Sequence, residues 1–216
     1  MIYEKVLLVE GDDEKWVIPQ FVEANGIIWE DKKKRRIVEI KPFDGINKLN
    51  KKLLNTELQA SGLRILGIIL DADDCPTNRW QSIRNCLIEI YPDIPEHIPA
   101  TGLIHPGEIK LGIWIMPDNK ERGMLETFLQ FLLPEGGKKL WQFSENCCQQ
   151  AKVIQAKEQG DCFKDCHSDK AKIHTWLAWQ NPPGLQLHQA VIKRILSSDS
   201  PQAAVFMQWF KDLFEV

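Results

Sequence analysis

Two runs of apolar residues, each ending in a cluster of acids, constrain the fold more than any other feature of the sequence. The first run, Val-Leu-Leu-Val at residues 6–9, is followed by Glu10. The second covers residues 65–70 and is followed by Asp-Ala-Asp-Asp at residues 71–74. Continuous apolar runs are typical of parallel strands covered by helices on both faces, and such sheets bind ligands beyond the carboxyl ends of their strands. The sequence therefore predicts an α/β fold with acidic groups at the ligand-binding edge.

The acids that follow the two runs have the chemistry of a divalent-cation site. Asp71 and Asp73 are two positions apart, so their side chains project to the same side if the strand geometry continues through Asp73. If the two strands are neighbours, Glu10 joins them, and three carboxylates form the hard-oxygen set that suits Mg²⁺ or Mn²⁺. The alternative is that these acids are solvated turn residues or helix caps, a role that suits Asp12 and Asp13. Two clusters on compatible strands favour the shared metal site.

Other residues are further candidates for the same site. Glu14 is four residues after Glu10, so one helical turn would return it to the cluster. Asp118 follows another predicted strand and Glu126 lies early on the next predicted helix, so either could bind a second metal. The alternatives are an Asp-Asn turn for Asp118 and a solvated helix face for Glu126. Lys170 could offer a cation to a developing phosphorane charge, although exposed lysines are common.

Two motifs carry a resemblance to a known family. Leu-Leu-Val-Glu-Gly occupies residues 7–11, and Asp-Ala-Asp occupies residues 71–73 after a predicted helix, strand and helix. Together they resemble the Toprim domain of topoisomerases, bacterial primases and OLD-family nucleases, whose pattern is a strand-terminal Glu-Gly and a later Asp-x-Asp. The resemblance implies a Mg²⁺-assisted phosphoryl-transfer centre acting on nucleic acid. It also implies that Glu10 is the general acid/base, that Asp71 and Asp73 are metal ligands, and that an acid at Glu14 belongs to the site.

A further set of segments is similar to a stand-alone Toprim-like family of undetermined function. These segments are Gly-Ile-Trp-Ile-Met-Pro-Asp-Asn at residues 112–119, Gly-Met-Leu-Glu at 123–126 and Thr-Trp-Leu-Ala-Trp-Gln at 175–180. This likeness implies a fold more directly than it implies a substrate.

The periodicity of apolar residues predicts an α/β core over residues 1–133, with a mostly parallel sheet flanked by helices. The resemblance implies that this core is Toprim-like. An all-helical extension over residues 134–216 is predicted to pack on that core as one compact unit. Residues 91–106, which contain four prolines, are predicted to be an irregular connection. The predicted strands are 6–9, 37–40, 65–70 and 111–116, and the predicted helices before residue 123 are 16–24, 46–58 and 79–90. The predicted core positions in the sheet are Val6, Leu8, Ile68, Leu70, Ile113 and Ile115.

Composition limits the classes of partner. The net charge of −3 and pI near 6.0 give no overall basic surface for nucleic acid. Contact with nucleic acid would therefore need a local patch of basic residues. Residues 32–36, Lys-Lys-Lys-Arg-Arg, are the dense basic run, and they are either a solvated loop or a phosphate contact. No apolar stretch reaches the roughly 18 residues that span a bilayer, and the amino terminus lacks a signal-peptide pattern. We therefore expect no membrane partner and a cytoplasmic protein.

The cysteines allow two interpretations. Cys147, Cys148, Cys162, Cys166 and His167 have ligand types that zinc favours, but their spacing is not that of a recognised zinc motif. Separate reduced thiols are the default state in a cytosolic chain. The sequence leaves the zinc question open and favours free thiols.

Three classes of function remain. The leading hypothesis is a Mg²⁺-dependent nuclease or related phosphoryl-transfer enzyme. The second is a non-catalytic Toprim-like module that binds nucleic acid or acts as a scaffold. The third, a phospho-acceptor receiver domain, is disfavoured because a receiver ends after about 120 residues, as a domain of ordinary size. The chain has no phosphate-binding loop of the P-loop type, so any ATPase activity would come from a separate partner.

Overall fold

A computed structural model describes residues 3–158 and 160–216 of the chain. Within these residues a single sheet of strand order β2-β1-β3-β5-β4 lies between two layers of helices, which confirms the predicted α/β class. The strands are β1 (Lys5–Val9), β2 (Glu39–Pro42), β3 (Ile65–Asp71), β4 (Leu103–His105) and β5 (Lys110–Met116). The α-helices are α1 (Asp12–Ala24), α2 (Lys51–Leu58), α3 (Pro76–Leu87), α4 (Leu125–Gln130), α5 (Lys138–Lys157), α6 (Ser168–Ala178), α7 (Leu187–Ile192) and α8 (Pro201–Phe214). None of the helices in the described residues is both long and apolar enough to cross a bilayer.

The sheet is parallel except at one edge. Strand β1 pairs in parallel with β2 and β3, and β3 pairs in parallel with β5. Strand β4 pairs antiparallel with β5, in a segment that the sequence predicts to be irregular. That prediction is wrong for residues 103–105, because flanking prolines do not prevent a three-residue strand at a sheet edge.

Several other element boundaries differ from the sequence prediction. The predicted helix 46–58 is a 3₁₀ turn at Ile46–Lys48 followed by α2, which starts after Asn50 because the side chain of Asn50 accepts the N–H of Leu53. The predicted helix 79–90 is displaced to Pro76–Leu87, since a proline suits the first turn of a helix.

Strand β2 begins two residues late because the N–H of Ile37 donates to the carbonyl of Trp29 at 3.0 Å, which holds residue 37 in the preceding loop. Helix α1 begins at Asp12 instead of residue 16, and it contains Pro19. Its first turn carries Asp12, Asp13 and Glu14, whose charges suit the positive end of a helix.

The two faces of the sheet bury different side chains. All six predicted core positions are buried and lie in one apolar cluster with Trp80 and Leu87 of α3. The residues that alternate with them, such as Leu7 and Trp114, belong to the opposite cluster, which also contains Phe210 of α8. This alternation is the period-two pattern of a pleated strand covered on both faces.

Helix α8 packs on the sheet where two glycines are paired. Gly67 of β3 and Gly112 of β5 are register partners, and their missing side chains leave room for Leu213 and Phe214. A Cβ atom at Gly67 would lie 2.7 Å from Phe214 Cζ, and one at Gly112 would overlap Leu213. The last helix therefore covers strands β3 and β5 from much earlier in the chain, and the predicted division near residue 133 stays a prediction.

We predict that Gly112→Ala destabilises the protein by about 1–3 kcal/mol, the usual cost of overfilling a packed core. Urea denaturation monitored by tryptophan fluorescence would measure the change in the free energy of unfolding. Gly136→Ala is the matched control, because a Cβ atom at Gly136 meets nothing within 4 Å. Equal effects of the two substitutions would contradict close packing of α8 on the glycine pair.

Candidate functional site

The register of β1 and β3 brings the two acidic clusters to the same edge of the sheet. The strands are parallel neighbours with Val6 opposite Leu66 and Leu8 opposite Ile68. The carboxyl ends of both strands therefore lie side by side. There the N–H of Asp71 donates to Glu10 Oε2 at 3.3 Å. We call Glu10, Asp71 and Asp73, the acids at the carboxyl ends of β1 and β3, the strand-end acids. The contact between Glu10 and Asp71 matches the sequence hypothesis that the two strands bring their acids together.

Asp71 and Asp73 differ in backbone conformation. Strand β3 ends at Asp71, and Asp73 has φ of +51°, so the extended geometry assumed from the sequence does not continue through Asp73. The backbone of Asp73 is held by two hydrogen bonds with Gly123, of 2.9 and 2.8 Å. The Oδ1 atom of Asp71 accepts the N–H of Leu125 at 3.1 Å, which ties it to the first residue of α4. Each aspartate is therefore placed by a separate backbone contact.

Two buried glutamates extend the cluster from the helices. Glu14 of α1 is 5% exposed and Glu126 of α4 is 4% exposed. The carboxylate of Glu14 accepts the N–H of Gly11 at 3.0 Å. Lys170 of α6 lies 3.3 Å from Glu126 Oε1 and 3.0 Å from Asp13 Oδ2. Lys170 therefore lies at the edge of the acidic cluster, beside Glu126. The acids that the structure brings together are Glu10, Glu14, Asp71, Asp73 and Glu126.

Burial and mutual repulsion disturb the titration of this cluster. Burial raises the pKa of Asp71 well above its ordinary value, and the charges of Glu14 and Glu10 raise it further. Burial, with a contribution from the charge of Glu126, raises the pKa of Glu14 to about 7. Burial also raises the pKa of Glu10, although the N–H of Asp71 opposes the shift. Such a group of destabilised carboxylates is stabilised by protons or by a cation.

Lys170 balances part of this charge. Burial alone would lower the pKa of Lys170, but the carboxylates of Glu126 and Asp13 outweigh burial and raise that pKa above its ordinary value. Lys170 therefore stays charged beside the cluster.

Asp118 has a different environment. Its Oδ1 atom accepts the N–H groups of Lys120 at 3.1 Å and Glu121 at 2.9 Å, as in a turn closed by an aspartate. The buried neighbour Asn119 holds the same turn, because its Oδ1 atom accepts the N–H of Ile115 at 2.8 Å. This is the turn that the sequence offered as the alternative to a metal ligand.

The carboxylate oxygens of these acids are the donor type that a hard divalent cation binds. Their side chains are not arranged around a common ion position. In the part of the chain that the structure describes, no group of three or more His, Cys, Asp or Glu side chains is arranged to hold a metal. The strand-end carboxylates have other partners: Glu10 and Asp71 accept backbone N–H groups, and Asp73 binds Arg79. Carboxylate oxygens remain the ligands that Mg²⁺ and Mn²⁺ prefer. Side-chain rotations would be needed to turn these oxygens towards one ion.

A cleft of about 650 Å³ opens beside Asp73 and is lined by residues of the α5–α6 region. Lys172 lies in it, 3.0 Å from Asp169 and 3.8 Å from Glu145, and Asp169 accepts a hydrogen bond from Thr127. The cleft places charged groups of the last hundred residues next to the strand-end acids.

The remaining candidates lie elsewhere or are paired. All six cysteines are free thiols, and Cys148 and Cys166 line the cleft. The basic run 32–36 is exposed, and two of its members form ion pairs, Arg35 with Asp31 and Arg36 with Glu30. This pairing resembles the solvated loop that the sequence offered as one alternative.

Arg79 is the residue of this region that the sequence analysis missed. Its guanidinium binds Asp73, and its Nε donates to the carbonyl oxygen of Asp71 at 2.7 Å. The available signal was its position early on the helix that follows the acidic loop, which lets a long side chain fold back onto that loop.

Comparison with known proteins gives one family match. A sequence profile of the family described as "Protein of unknown function (DUF3226)" matches residues 4–215. A search of curated proteins gave no match. Among solved structures, the C-terminal region of the Xanthomonas campestris pv. campestris OLD protein is 14% identical, with 99% of this chain and 94% of that chain covered and a TM-score of 0.49. The C-terminal region of the Burkholderia pseudomallei OLD protein is 12% identical, with 99% and 100% covered and a TM-score of 0.47.

We predict that the metal-free protein loses stability as the pH rises towards 7. The unfolded chain ionises Glu14 near its ordinary pKa of 4.5, whereas the folded state keeps the proton up to about 7. The folded state therefore binds more protons in this window, and the free energy of unfolding falls as the pH rises through it. Glu14→Gln should remove up to about 3 kcal/mol of that fall.

Urea denaturation in EDTA at pH 5 and pH 8 would measure this difference. Asp12→Asn, at an exposed acid of the same helical turn, is the control and should keep the fall of the wild type. The same fall in Glu14→Gln as in the wild type would show that Glu14 does not carry the pH dependence.

Proposed function

The chain belongs to the DUF3226 family, and we propose that it is a Toprim-like phosphoryl-transfer enzyme, a Mg²⁺- or Mn²⁺-dependent nuclease. The observation that carries this proposal is the meeting of the two strand-end clusters, with the N–H of Asp71 3.3 Å from the carboxylate of Glu10. Glu14 and Glu126 add buried negative charge at the same place. Folding such acids together is unfavourable without a compensating cation, so their placement supports a cation-dependent function.

The residues divide into proposed roles by their environments. Asp71 and Asp73 would hold a first cation with Glu10 beside it, and Glu14 and Glu126 would hold a second. A bound divalent cation would polarise a phosphate and lower the pKa of a bound water. Burial raises the pKa of Glu10 from its ordinary value, which moves this side chain closer to the range where a general acid or base works.

Lys170 would stabilise negative charge that develops on the transferred phosphoryl group. Its ammonium group lies 3.3 Å from Glu126 and remains charged at neutral pH. Oriented cations beside a reacting phosphate lower the barrier because they are in place before the charge develops.

Nucleic acid is the proposed substrate, on the strength of the Glu-Gly and Asp-x-Asp motifs and of the phosphoryl-transfer chemistry that this acid set suits. The acidic net charge argues for a local contact and against tight non-specific binding. Because the sequence has no P-loop, any coupling to ATP hydrolysis would require a separate ATPase partner.

A non-catalytic Toprim-like module is the second candidate. The observation that favours it is the pairing of Asp73 with Arg79, which satisfies one of the proposed metal ligands within the protein. In such a module the acids and their counter-ions would form a fixed surface that binds nucleic acid or a protein partner.

We predict that Mn²⁺ stabilises the folded protein through the strand-end acids. Binding to the folded state alone raises the free energy of unfolding by about 2.7 kcal/mol at a hundredfold excess over Kd. A thermal-shift titration should show this in wild type and much less in Asp71→Asn/Asp73→Asn. Asp118→Asn is the matched control: its amide can keep the turn, so its Mn²⁺ shift should equal that of wild type. Equal shifts in all three proteins would remove the metal-site proposal.

We predict that Glu10→Gln lowers cleavage of nucleic acid by about 10²–10⁴, the usual contribution of general acid–base catalysis. The substitution keeps the shape of the side chain and its acceptor for the N–H of Asp71 while removing the titratable group. The assay is Mn²⁺-supported degradation of single- and double-stranded DNA and RNA at fixed salt.

Glu89→Gln, at an exposed glutamate paired with Lys51, is the control and should cleave like the wild type. Matching cleavage by wild type and Glu10→Gln would indicate a contaminant and end the assignment of Glu10. No cleavage by wild type on any substrate, with or without a candidate ATPase, would favour the binding module.

A further inference from the structure

Arg79 is a protein cation placed inside the acidic cluster. It lies in the first turn of α3, directly after the acidic loop, and its side chain is 12% exposed. The guanidinium binds Asp73 through Nη2, and Nε donates to the carbonyl oxygen of Asp71. Its charge also acts on Glu10, where it opposes the rise in pKa that burial causes. Arg79 therefore contacts Asp71 and Asp73 directly and acts on Glu10 through its charge.

The contact with Asp73 can open without disturbing the backbone. Asp73 is fixed at the main chain by its two hydrogen bonds with Gly123, and neither bond involves its carboxylate. Rotation of the Asp73 side chain would therefore release the Oδ2 atom from Arg79. The Asp73 side chain is 43% exposed, so its carboxylate can be reached from solvent and from the neighbouring cleft.

Two lysines near the site have other partners. Lys170 is paired with Asp13 and Glu126, and Lys172 is paired with Asp169 and Glu145. Neither forms an ion pair with a strand-end acid, whereas Arg79 does. A guanidinium also presents a planar fork of donors that matches a phosphate in two-point contacts, which an ammonium group cannot do.

We propose that Arg79 is the phosphate-binding residue of this site, held on Asp73 until a divalent cation takes that carboxylate and then released onto a phosphate of the substrate. This inference rests on the proposed function. Metal and Arg79 compete for the same oxygen, so the observed metal affinity is reduced by the fraction of molecules in which the ion pair is closed. Metal binding in turn frees the guanidinium beside the position where a phosphate would meet the metal.

A purely structural role for Arg79 gives different expectations. If Arg79 only pins the acidic loop, its removal would loosen the loop, and metal binding would weaken or stay the same. If Arg79 competes with metal, its removal tightens metal binding. The direction of the change in metal affinity therefore separates the two roles.

The first experiment measures Mn²⁺ binding by titration calorimetry. Arg79→Gln should bind Mn²⁺ about tenfold more tightly than wild type, the factor expected for a pair that is closed about 90% of the time. In the Asp73→Asn background, the same substitution should have almost no effect, because the oxygen under competition has already lost its charge. Arg84→Gln is the matched control on the same helix, since Arg84 donates to the carbonyl of Pro95 at 2.9 Å. Its Mn²⁺ affinity should equal that of wild type.

Thermal unfolding of each variant establishes that it is folded before titration. Weaker or unchanged Mn²⁺ binding by folded Arg79→Gln would overturn the competition. An equal gain in the wild-type and Asp73→Asn backgrounds would also overturn it, because the effect would then not act through Asp73.

The second experiment measures phosphate contact without cleavage. Binding of a fluorescent single-stranded DNA 20-mer is followed against salt concentration, with saturating Mn²⁺ in the Glu10→Gln background. Adding Arg79→Gln should weaken binding and reduce the salt slope by about 0.7, the value of one phosphate contact on a single strand. Arg79→Lys should restore the slope because it returns a positive charge.

The outcomes of this second experiment separate the inference from the proposed function. Binding with an unchanged slope in Arg79→Gln would overturn the role of Arg79 and leave the proposed nuclease standing. No binding of the oligonucleotide by Glu10→Gln at any salt concentration would overturn both the proposed substrate class and the phosphate contact of Arg79.

Discussion

The repulsion among carboxylates at the carboxyl ends of β1 and β3 is the constraint around which the structure of this site is organised. Parallel pairing of the two strands forces Glu10 and Asp71 together, and burial deprives them of the water that would otherwise screen their charges. The surrounding contacts reduce that cost. A backbone N–H from α4 binds Asp71, the N–H of Gly11 binds Glu14, and the guanidinium of Arg79 binds Asp73. Each acid therefore has a donor of its own.

The helices that follow the sheet contribute to this arrangement in two ways. Helix α8 covers the glycine pair of β3 and β5, and its apolar side chains belong to the core on that face of the sheet. Helix α6 brings Lys170 to Glu126, and Asp169 of the same helix accepts a hydrogen bond from Thr127 of α4. Because α4 also donates to Asp71, the position of the strand-end acid is linked to α6 through a single short helix. The charged side of the site thus depends on residues far along the chain.

Sequence reasoning identified the sheet and the strand-end acids because both follow from local patterns. Apolar runs and the acids that end them are visible without knowledge of the fold, and parallel pairing then determines that Glu10 meets Asp71. Other features depend on contacts between distant segments. The left-handed conformation of Asp73 is held by Gly123, and the short strand β4 exists only because β5 offers an edge. For the same reason sequence spacing could not separate Asp118, which closes its own turn, from Glu126, which faces the acidic cluster.

The charges of the site do not balance, and this imbalance connects protonation with cation binding. Among the described residues, five acids, Glu10, Glu14, Asp71, Asp73 and Glu126, are paired with or influenced by Arg79 and Lys170. The pKa of Glu14, raised to about 7 by burial, means that protons on this side chain make up part of the difference near neutral pH. Burial also raises the pKa values of Asp71 and Glu10. A divalent cation at the proposed site would supply the same compensation and displace those protons, since ligands must be deprotonated to bind metal. Arg79 differs from a proton in one respect, because it cannot leave the protein when displaced. A cation bound to Asp73 would therefore leave the guanidinium of Arg79 nearby. A phosphate is the ligand whose geometry and charge suit both the cation and the guanidinium.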